Sequence, residues 1–372
     1  MEYKVHQEEV KMEICKKELE KYSAPYRLWQ GIPGIEVTPK GRVFIALYSG
    51  GTKEEIGNFV CLLQSSDGVT FSEPIVVAYQ EEHRCFDPCL WIDPMGRLWF
   101  FWSRYPDNGV FGVYCENPDA DELVWSKVFE IGKNVMMNKP TVLGTGEWLL
   151  PITVWNLRGE DKSKMHPDKK AFVYQTTDGG KSFCRLGGVD MENRSYDEHM
   201  ILELSDGRLA MYVRTTYGIG VAYSDDKGLT WTEGEDSGLG GPCSRFFISR
   251  LKSGRILLIN HYNFKGRNNL TAMLSEDDGK TFPYKLLLDE RDNVSYPDAV
   301  EQNGYIYITY DRERGCFKNS LEEVYDSARE ILVAKITEQD ILNGQVENER
   351  SYLKRVVSKL GEYALENPFL TE

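Results

Sequence analysis

Several stretches of this chain interrupt apolar runs with groups that can move protons or hold anions. Tyr196-Asp197-Glu198-His199-Met200 is followed, one apolar run later, by Val213-Arg214-Thr215. Ser295-Tyr296-Pro297-Asp298, Phe86-Asp87-Pro88 and Asn138-Lys139-Pro140 each precede another such run. Arg245 (in Cys243-Ser244-Arg245-Phe246-Phe247) and Arg267 (in Gly266-Arg267-Asn268-Asn269) stand at further entrances, while His261 and Tyr310-Asp311-Arg312 stand at exits. A carboxyl group can give or take a proton when its surroundings tune its pKa. A phenol, with a pKa of about 10, is a poor nucleophile unless a base adjoins it. A guanidinium offers a two-pronged grip on a carboxylate. The inventory therefore suits acid–base or nucleophilic chemistry on a polar or anionic substrate, provided that the fold brings these stretches together.

The elements that would do so are repeats. One pattern recurs six times: a few apolar residues, a Gly-containing turn, then a strongly apolar strand. The copies are Ile35–Leu47, Leu90–Trp102, Thr141–Ile152, Leu202–Val213, Ile248–Asn260 and Ala299–Tyr310. Their turn glycines are Gly41, Gly96, Gly146, Gly207, Gly254 and Gly304, spaced at roughly 50 residues. Each copy reads as a β-hairpin, because Gly supplies the turn and the flanks are rich in Ile, Val, Leu, Phe, Trp and Tyr. A repeat of that length holds a four-stranded antiparallel sheet, and radial repetition of such sheets makes a propeller. The expectation is an all-β, six-bladed β-propeller forming one domain, with residues 1–25 as an N-terminal extension and 26–372 as the propeller and its closing segment. A pair of β-sandwiches would not produce six evenly spaced equivalents. Only Glu8–Glu20 and Ser320–Arg329 read as helical. Because antiparallel neighbours bring Glu198, before a hairpin, and Arg214, at its end, to one end of a blade, the two are expected to meet.

A second motif follows the hairpins. It runs Thr176-x-Asp178-x-Gly180-x-Ser182-Phe183, Ser224-x-Asp226-x-Gly228-x-Thr230-Trp231 and Ser275-x-Asp277-x-Gly279-x-Thr281-Phe282, with a shortened copy from Ser65 to Phe71. In each, the Asp can accept hydrogen bonds from the backbone of its own turn. These residues are turn staples and not site candidates. The pattern S/T-x-D-x-G-x-S/T-W/F is the Asp box, and in it the chain resembles the sialidase (neuraminidase) superfamily of six-bladed propellers.

The resemblance implies roles. Glu198 and Arg214 match the family's Glu and Arg that flank a hairpin and face the pocket; the Glu polarises a nucleophilic Tyr and the Arg binds the substrate carboxylate. Tyr296 matches that nucleophile, an exception to the two-carboxylate rule of glycosidases. Arg267 matches a further carboxylate-binding arginine, and Arg245 competes for that place. Apart from the resemblance, Asp87, Lys139 and His199, at equivalent blade positions, point to a different pocket on the same scaffold, Asp87 as a catalytic alternative and Lys139 and His199, with Asp298 beside Tyr296, as substrate-binding residues. The chain departs from the family at Gln30-Gly31-Ile32-Pro33, where Gly31 stands in place of the first arginine of a three-arginine cluster. Arg27 lies four residues upstream. The loop that carries the family's acid/base Asp offers Glu54 and Glu55 instead.

The bulk composition narrows the partners. A net charge of −14 argues against a general nucleic-acid binder, which needs a basic face. The eight cysteines are scattered, with no CxxC pair, as expected of reduced and mostly buried thiols. His83, Cys85 and Cys89 lack a second ligand pair, so no metal site is expected, and the implied chemistry needs no cofactor. The charged segment Met1–Lys21 has no signal-like apolar run and no stretch reaches membrane-spanning length, so the expected location is cytoplasmic. The expected activity is a glycoside hydrolase on a terminal acidic or unusual sugar, sialic acid or a related substrate. Two other readings stay open. One is a polysaccharide or uronate lyase, in which Tyr296 and His199 would move the proton while Lys139 neutralises the uronate. The other is a non-catalytic carbohydrate-binding propeller.

Overall fold

The computed structural model describes residues 14–51, 53–155, 168–314 and 328–360, together with the backbone of Lys4–Val5. The strands form six antiparallel sheets whose four blade strands each come from one continuous stretch of chain. Blade 1 comprises Trp29–Val37, Val43–Gly50, Phe59–Ser65 and Val76–Ala78; blade 2 comprises Arg84–Ile92, Leu98–Tyr105, Gly109–Cys115 and Phe129–Lys133. Blade 3 is Thr141–Val142, Trp148–Thr153, Ala171–Thr176 and Phe183–Val189, with Lys4–Val5 added to its last strand. Blade 4 is Arg194–Glu203, Leu209–Thr215, Gly218–Ser224 and Glu235–Asp236. Blade 5 is Phe247–Arg250, Ile256–His261, Leu270–Ser275 and Tyr284–Asp289, and blade 6 is Val294–Gln302, Tyr305–Arg312, Glu330–Ile336 and Tyr352–Lys359. First strands of neighbouring blades touch one another around a central axis. The sixfold hairpin pattern is thus the first and second strand of every blade.

The turns explain why the strands reverse where they do. All six turn glycines hold φ between +78° and +98°, which a side chain would disfavour. At the same end of the sheets, the S/T-x-D-x-G-x-S/T segments are tied internally. Asp226 Oδ1 accepts from Ser224 Oγ at 2.8 Å and from Thr230 N at 2.8 Å, while its Oδ2 accepts from Thr230 Oγ1 at 2.6 Å. Asp178 and Asp277 repeat the arrangement.

Among the described residues, the ring closes between blades 6 and 1 without exchange of a strand. Gln30 Nε2 donates to the carbonyls of Arg329 (2.6 Å) and Ser358 (3.1 Å), Ile32 N donates to Asp311 Oδ2 at 2.8 Å, and Tyr352 OH donates to Gly68 O at 2.9 Å. Between blades the core is aromatic and aliphatic: Trp99, fully buried, stacks on Phe101 at 5.3 Å and meets Trp148 edge-on at 6.2 Å across the boundary of blades 2 and 3. The helical expectation for Glu8–Glu20 does not hold for its described part. Cys15 bridges to Val77, the chain bends at Lys17–Glu18, and two single turns, Glu20–Tyr22 and Ala24–Tyr26, follow. Ser320–Arg329 lies outside the described residues except for its last two, and Cys316 lies outside them altogether. An unexpected short helix, Glu338–Asn343, starts at a capping box in which Thr337 Oγ1 accepts from Asp340 N and Asp340 Oδ2 accepts from Thr337 N.

Candidate active site

The innermost strands of blades 1, 2, 4 and 6 share one irregularity. Their pairing with the second strand slips between Gly31 and Gly34, Phe86 and Cys89, Asp197 and Met200, and Ser295 and Asp298. Within each slip a non-glycine residue takes left-handed backbone: Ile32 (φ +52°), Asp87 (+50°), Glu198 (+43°) and Tyr296 (+56°). Such bulges re-aim a side chain, and left-handed backbone is costly for anything but glycine. All four side chains line one cavity of about 1000 Å³ at the end of the channel remote from the glycine turns. The loops that join second to third strands complete its wall with Glu54, Glu55, Tyr105, Asp107, Trp155 and Arg267. On the wall Trp155 meets Tyr196 edge-on at 5.3 Å, a rim of the amphipathic kind that sugars stack on.

At the cavity floor Tyr296, Glu198 and Arg214 form one hydrogen-bonded unit. The Tyr296 hydroxyl donates to Glu198 Oε1 at 2.9 Å. Arg214 Nη1 donates to the same Oε1 at 2.5 Å and to the Tyr296 hydroxyl at 3.0 Å, and its Nη2 donates to Cys243 O at 3.1 Å. Glu198 Oε2 is buried and has no hydrogen-bond partner among the described residues. Burial pushes the Tyr296 phenol up to about 12, with the Glu198 carboxylate adding to the shift and Arg214, Arg314 and Arg267 opposing it. The resting phenol is therefore protonated and already directed at its base. Asp87 is also shifted upward, first by burial, then by Glu54, against the pull of Arg84. The shift favours the protonated form of the carboxyl group.

Arginines surround the phenol. The Arg267 guanidinium lies 5.5 Å from the centre of the Tyr296 ring, and its Nη2 donates to Cys243 O at 3.2 Å. The Arg314 guanidinium lies 4.2 Å from the same ring centre. Arg314 was not among the residues singled out from sequence.

Four residues expected at the substrate do not line this cavity. Lys139, Arg245 and Asp298 lie below it, in a buried polar hub. Lys139 Nζ donates to Ile35 O (2.6 Å), Leu90 O (2.6 Å) and Glu36 Oε1 (2.8 Å), and pairs with Asp298 Oδ2 at 3.2 Å. Arg245 donates to Asn138 Oδ1 at 2.7 Å and Met137 O at 3.1 Å, and lies 3.5 Å from Asp298 Oδ1. Asn138 Nδ2 in turn donates to Glu198 O (2.7 Å) and His199 O (3.0 Å). Every blade contributes at least one group, so the hub ties the ring at its axis and supports the Glu198 backbone. Burial opposes the Lys139 charge, but Asp298 and Glu36 outweigh it and raise its pKa. His199 is the fourth: it is buried beside Glu198, but its Nε2 donates to Phe172 O at 2.7 Å. The trio Tyr296, His199 and Lys139 required by a lyase is therefore not gathered on the cavity surface. Arg27 serves the ring seam instead, donating to Gln30 Oε1 and Ser358 Oγ, both at 3.3 Å.

The two interior imidazoles make a pH prediction. The bonds from Nε2 to carbonyl oxygens, Phe172 O for His199 and Val294 O at 2.9 Å for His261, leave both Nδ1 atoms without protons or partners. Burial lowers both rings to about 4, so they are neutral in the fold and take up protons on unfolding below about pH 6.5. Each therefore makes stability rise with pH between about 4 and 6.5. Asp87 and Asp197, both raised, pull the other way. The imidazole share is isolated by comparing urea unfolding of the wild type and His261→Gln across that window. The variant is expected to lose up to about 1.4 kcal/mol per pH unit of upward slope; an unaltered slope would mean that the ring is charged in the fold.

The family model of the BNR repeat-like domain matches residues 41–308. Solved structures share the fold at low identity. A protein of unknown function from Dyadobacter fermentans is 18% identical, with 77% of this chain and 91% of that one covered and a TM-score of 0.60. The NanB sialidase of Streptococcus pneumoniae is 12% identical, with 78% and 66% covered and a TM-score of 0.60. A leech intramolecular trans-sialidase complexed with 2,7-anhydro-Neu5Ac is 13% identical, with 91% and 71% covered and a TM-score of 0.63. The chain thus spans about two thirds of the length of the NanB chain. No curated protein matches it in sequence.

Proposed function

Because the chain belongs to the BNR repeat-like domain family and folds as a sialidase-like six-bladed propeller, we propose that it is a glycoside hydrolase removing a terminal acidic sugar. The observation that carries this reading is the Tyr296–Glu198–Arg214 unit at the cavity floor. Tyr296 attacks the anomeric carbon as its hydroxyl proton passes to Glu198, and Asp87 donates a proton to the departing oxygen. Water then attacks the glycosyl–tyrosine bond, giving its proton to the Asp87 carboxylate while Glu198 returns its proton to the phenol. Two displacements at one carbon retain its configuration. Arg214 and Arg267 supply positive charge where the sugar's carboxylate would sit. Trp155 and Tyr196 offer an apolar face for the ring or the leaving group.

The test is hydrolysis of fluorogenic glycosides of N-acetylneuraminic acid, its deaminated and keto-acid relatives, and uronic acids, with rhamnosides and fucosides as neutral controls. Turnover of an acidic member is expected. Turnover of neutral members alone would remove the acidic-substrate assignment. An unsaturated product from a uronate polymer would replace the hydrolase by a lyase.

A further inference from the structure

Gly31 has no conformational need to be glycine, since its backbone is not left-handed. What it lacks is room. A Cβ placed there would lie 2.1 Å from Cδ and 2.3 Å from Cγ of Arg314, and 3.0 Å from Asp311 Oδ2. The stem of Arg314 runs through the volume that any side chain at position 31 would fill. It enters from beyond the sixth hairpin, where Arg314 O accepts Gln30 N at 3.1 Å and holds the two segments side by side. Asp311 steers the guanidinium, with Oδ2 3.4 Å from Arg314 Nε. That carboxylate is already engaged, accepting Ile32 N at 2.8 Å on Oδ2 and Ser295 Oγ at 2.7 Å on Oδ1. The nearest other anion, Glu54, stands 3.9 Å away and also faces Arg84 at 3.8 Å.

Arg314 is therefore a cavity-lining guanidinium that its protein neighbours only partly neutralise. Arg267 adds to the excess, since among the described residues it makes no ion pair and only donates to a carbonyl. We propose that Arg314 is a carboxylate-binding residue of this site, admitted by the empty side-chain position at Gly31, so that the pair Gly31/Arg314 sets the preference for an anionic sugar. The sugar class rests on the glycosidase reading above, but the grip on the anion can be measured without turnover.

The experiment is calorimetric titration of the free acidic monosaccharides of the panel, and of their methyl esters, into wild type, Arg314→Ala, Gly31→Ala and the double variant. Wild type should bind an acid more tightly than its ester. Losing one charge-assisted contact should weaken the acid by about 10- to 100-fold and leave the ester nearly unchanged. Gly31→Ala should do the same by displacing the Arg314 stem, with a melting temperature close to that of wild type, because a side chain and not backbone has to move. The double variant should be no weaker than Arg314→Ala alone, since both changes remove one contact. Equal acid-to-ester ratios in wild type and Arg314→Ala, or a double variant whose loss is the product of the single losses, would overturn the proposal. Failure of wild type to bind any acid would overturn it too. Acid binding that follows the expected pattern without hydrolysis would instead remove the glycosidase reading and leave the Gly31/Arg314 assignment standing.

Discussion

If the proposed glycosidase reading holds, Tyr296→Phe should abolish glycoside turnover while leaving the propeller folded. The change deletes one hydroxyl, which donates to Glu198 and accepts from Arg214. Arg214 keeps its bonds to Glu198 Oε1 and Cys243 O, so the structural cost is about one hydrogen bond, near 1 kcal/mol. The chemical cost is the nucleophile itself, and kcat should fall on the order of 10⁴- to 10⁶-fold. Glu198→Gln keeps the shape but cannot take the proton, and should lose on the order of 10²- to 10⁴-fold. Mass spectrometry after reaction with a fluorinated glycosyl fluoride of the preferred sugar should place the sugar on the peptide containing Tyr296 in wild type and nowhere in Tyr296→Phe. Retention of turnover within tenfold in Tyr296→Phe would move the attack elsewhere, with Asp87 the first residue to examine.

Arg214→Ala should have the largest effect on stability. The side chains of Arg214 and Glu198 are 5% and 2% exposed, so removal of the cation strands a carboxylate away from water. Breaking a buried pair from one side costs about 3–5 kcal/mol, although the neighbouring Arg267 and Arg314 hold this case toward the lower end. The matched double variant Arg214→Met/Glu198→Gln, which removes both charges, should be more stable than Arg214→Ala although it has one more substitution. Urea unfolding of the three proteins decides it. An Arg214→Ala protein as stable as wild type would mean that the pair is hydrated and that the floor of the cavity is more open than its burial implies.

The fold was legible because the information is local and repeated. A glycine turn between apolar strands at Gly41 recurs at Gly96, Gly146, Gly207, Gly254 and Gly304, and each is the turn of a first hairpin. The meeting of Glu198 with Arg214 was legible for the same reason, since antiparallel neighbours share an end. What sequence could not show is the facing of residues beside the bulges. Asp298 is two places from Tyr296 and His199 is next to Glu198, yet Tyr296 and Glu198 face the cavity while Asp298 and His199 point into the interior. A one-residue slip reverses the alternation, and nothing in the residue types announces it. Lys139 and Arg245 were misplaced because a long cation reaches the hub as easily as the mouth. Arg314 lies just past the stretch Tyr310-Asp311-Arg312 that drew attention, and Arg312 instead pairs with Glu330 at 3.1 Å. The one available signal was Gly31, standing where the resemblance to the sialidases leads one to expect an arginine. The helix Glu338–Asn343 is too short for its periodicity to register.

The four left-handed residues at the channel mouth carry a consequence for how such a protein can change. Each costs about 1–3 kcal/mol, so together they rival the net stability of an ordinary domain, roughly 5–15 kcal/mol. A heat-resistance screen with no demand for activity would enrich glycine at Asp87, where it relaxes the backbone and removes a buried carboxyl, but not at Glu198 or Tyr296, whose loss would strand Arg214 or open a cavity. Robustness and the proposed chemistry thus compete at Asp87, and the large six-part ring is the surplus from which the competition can be sustained.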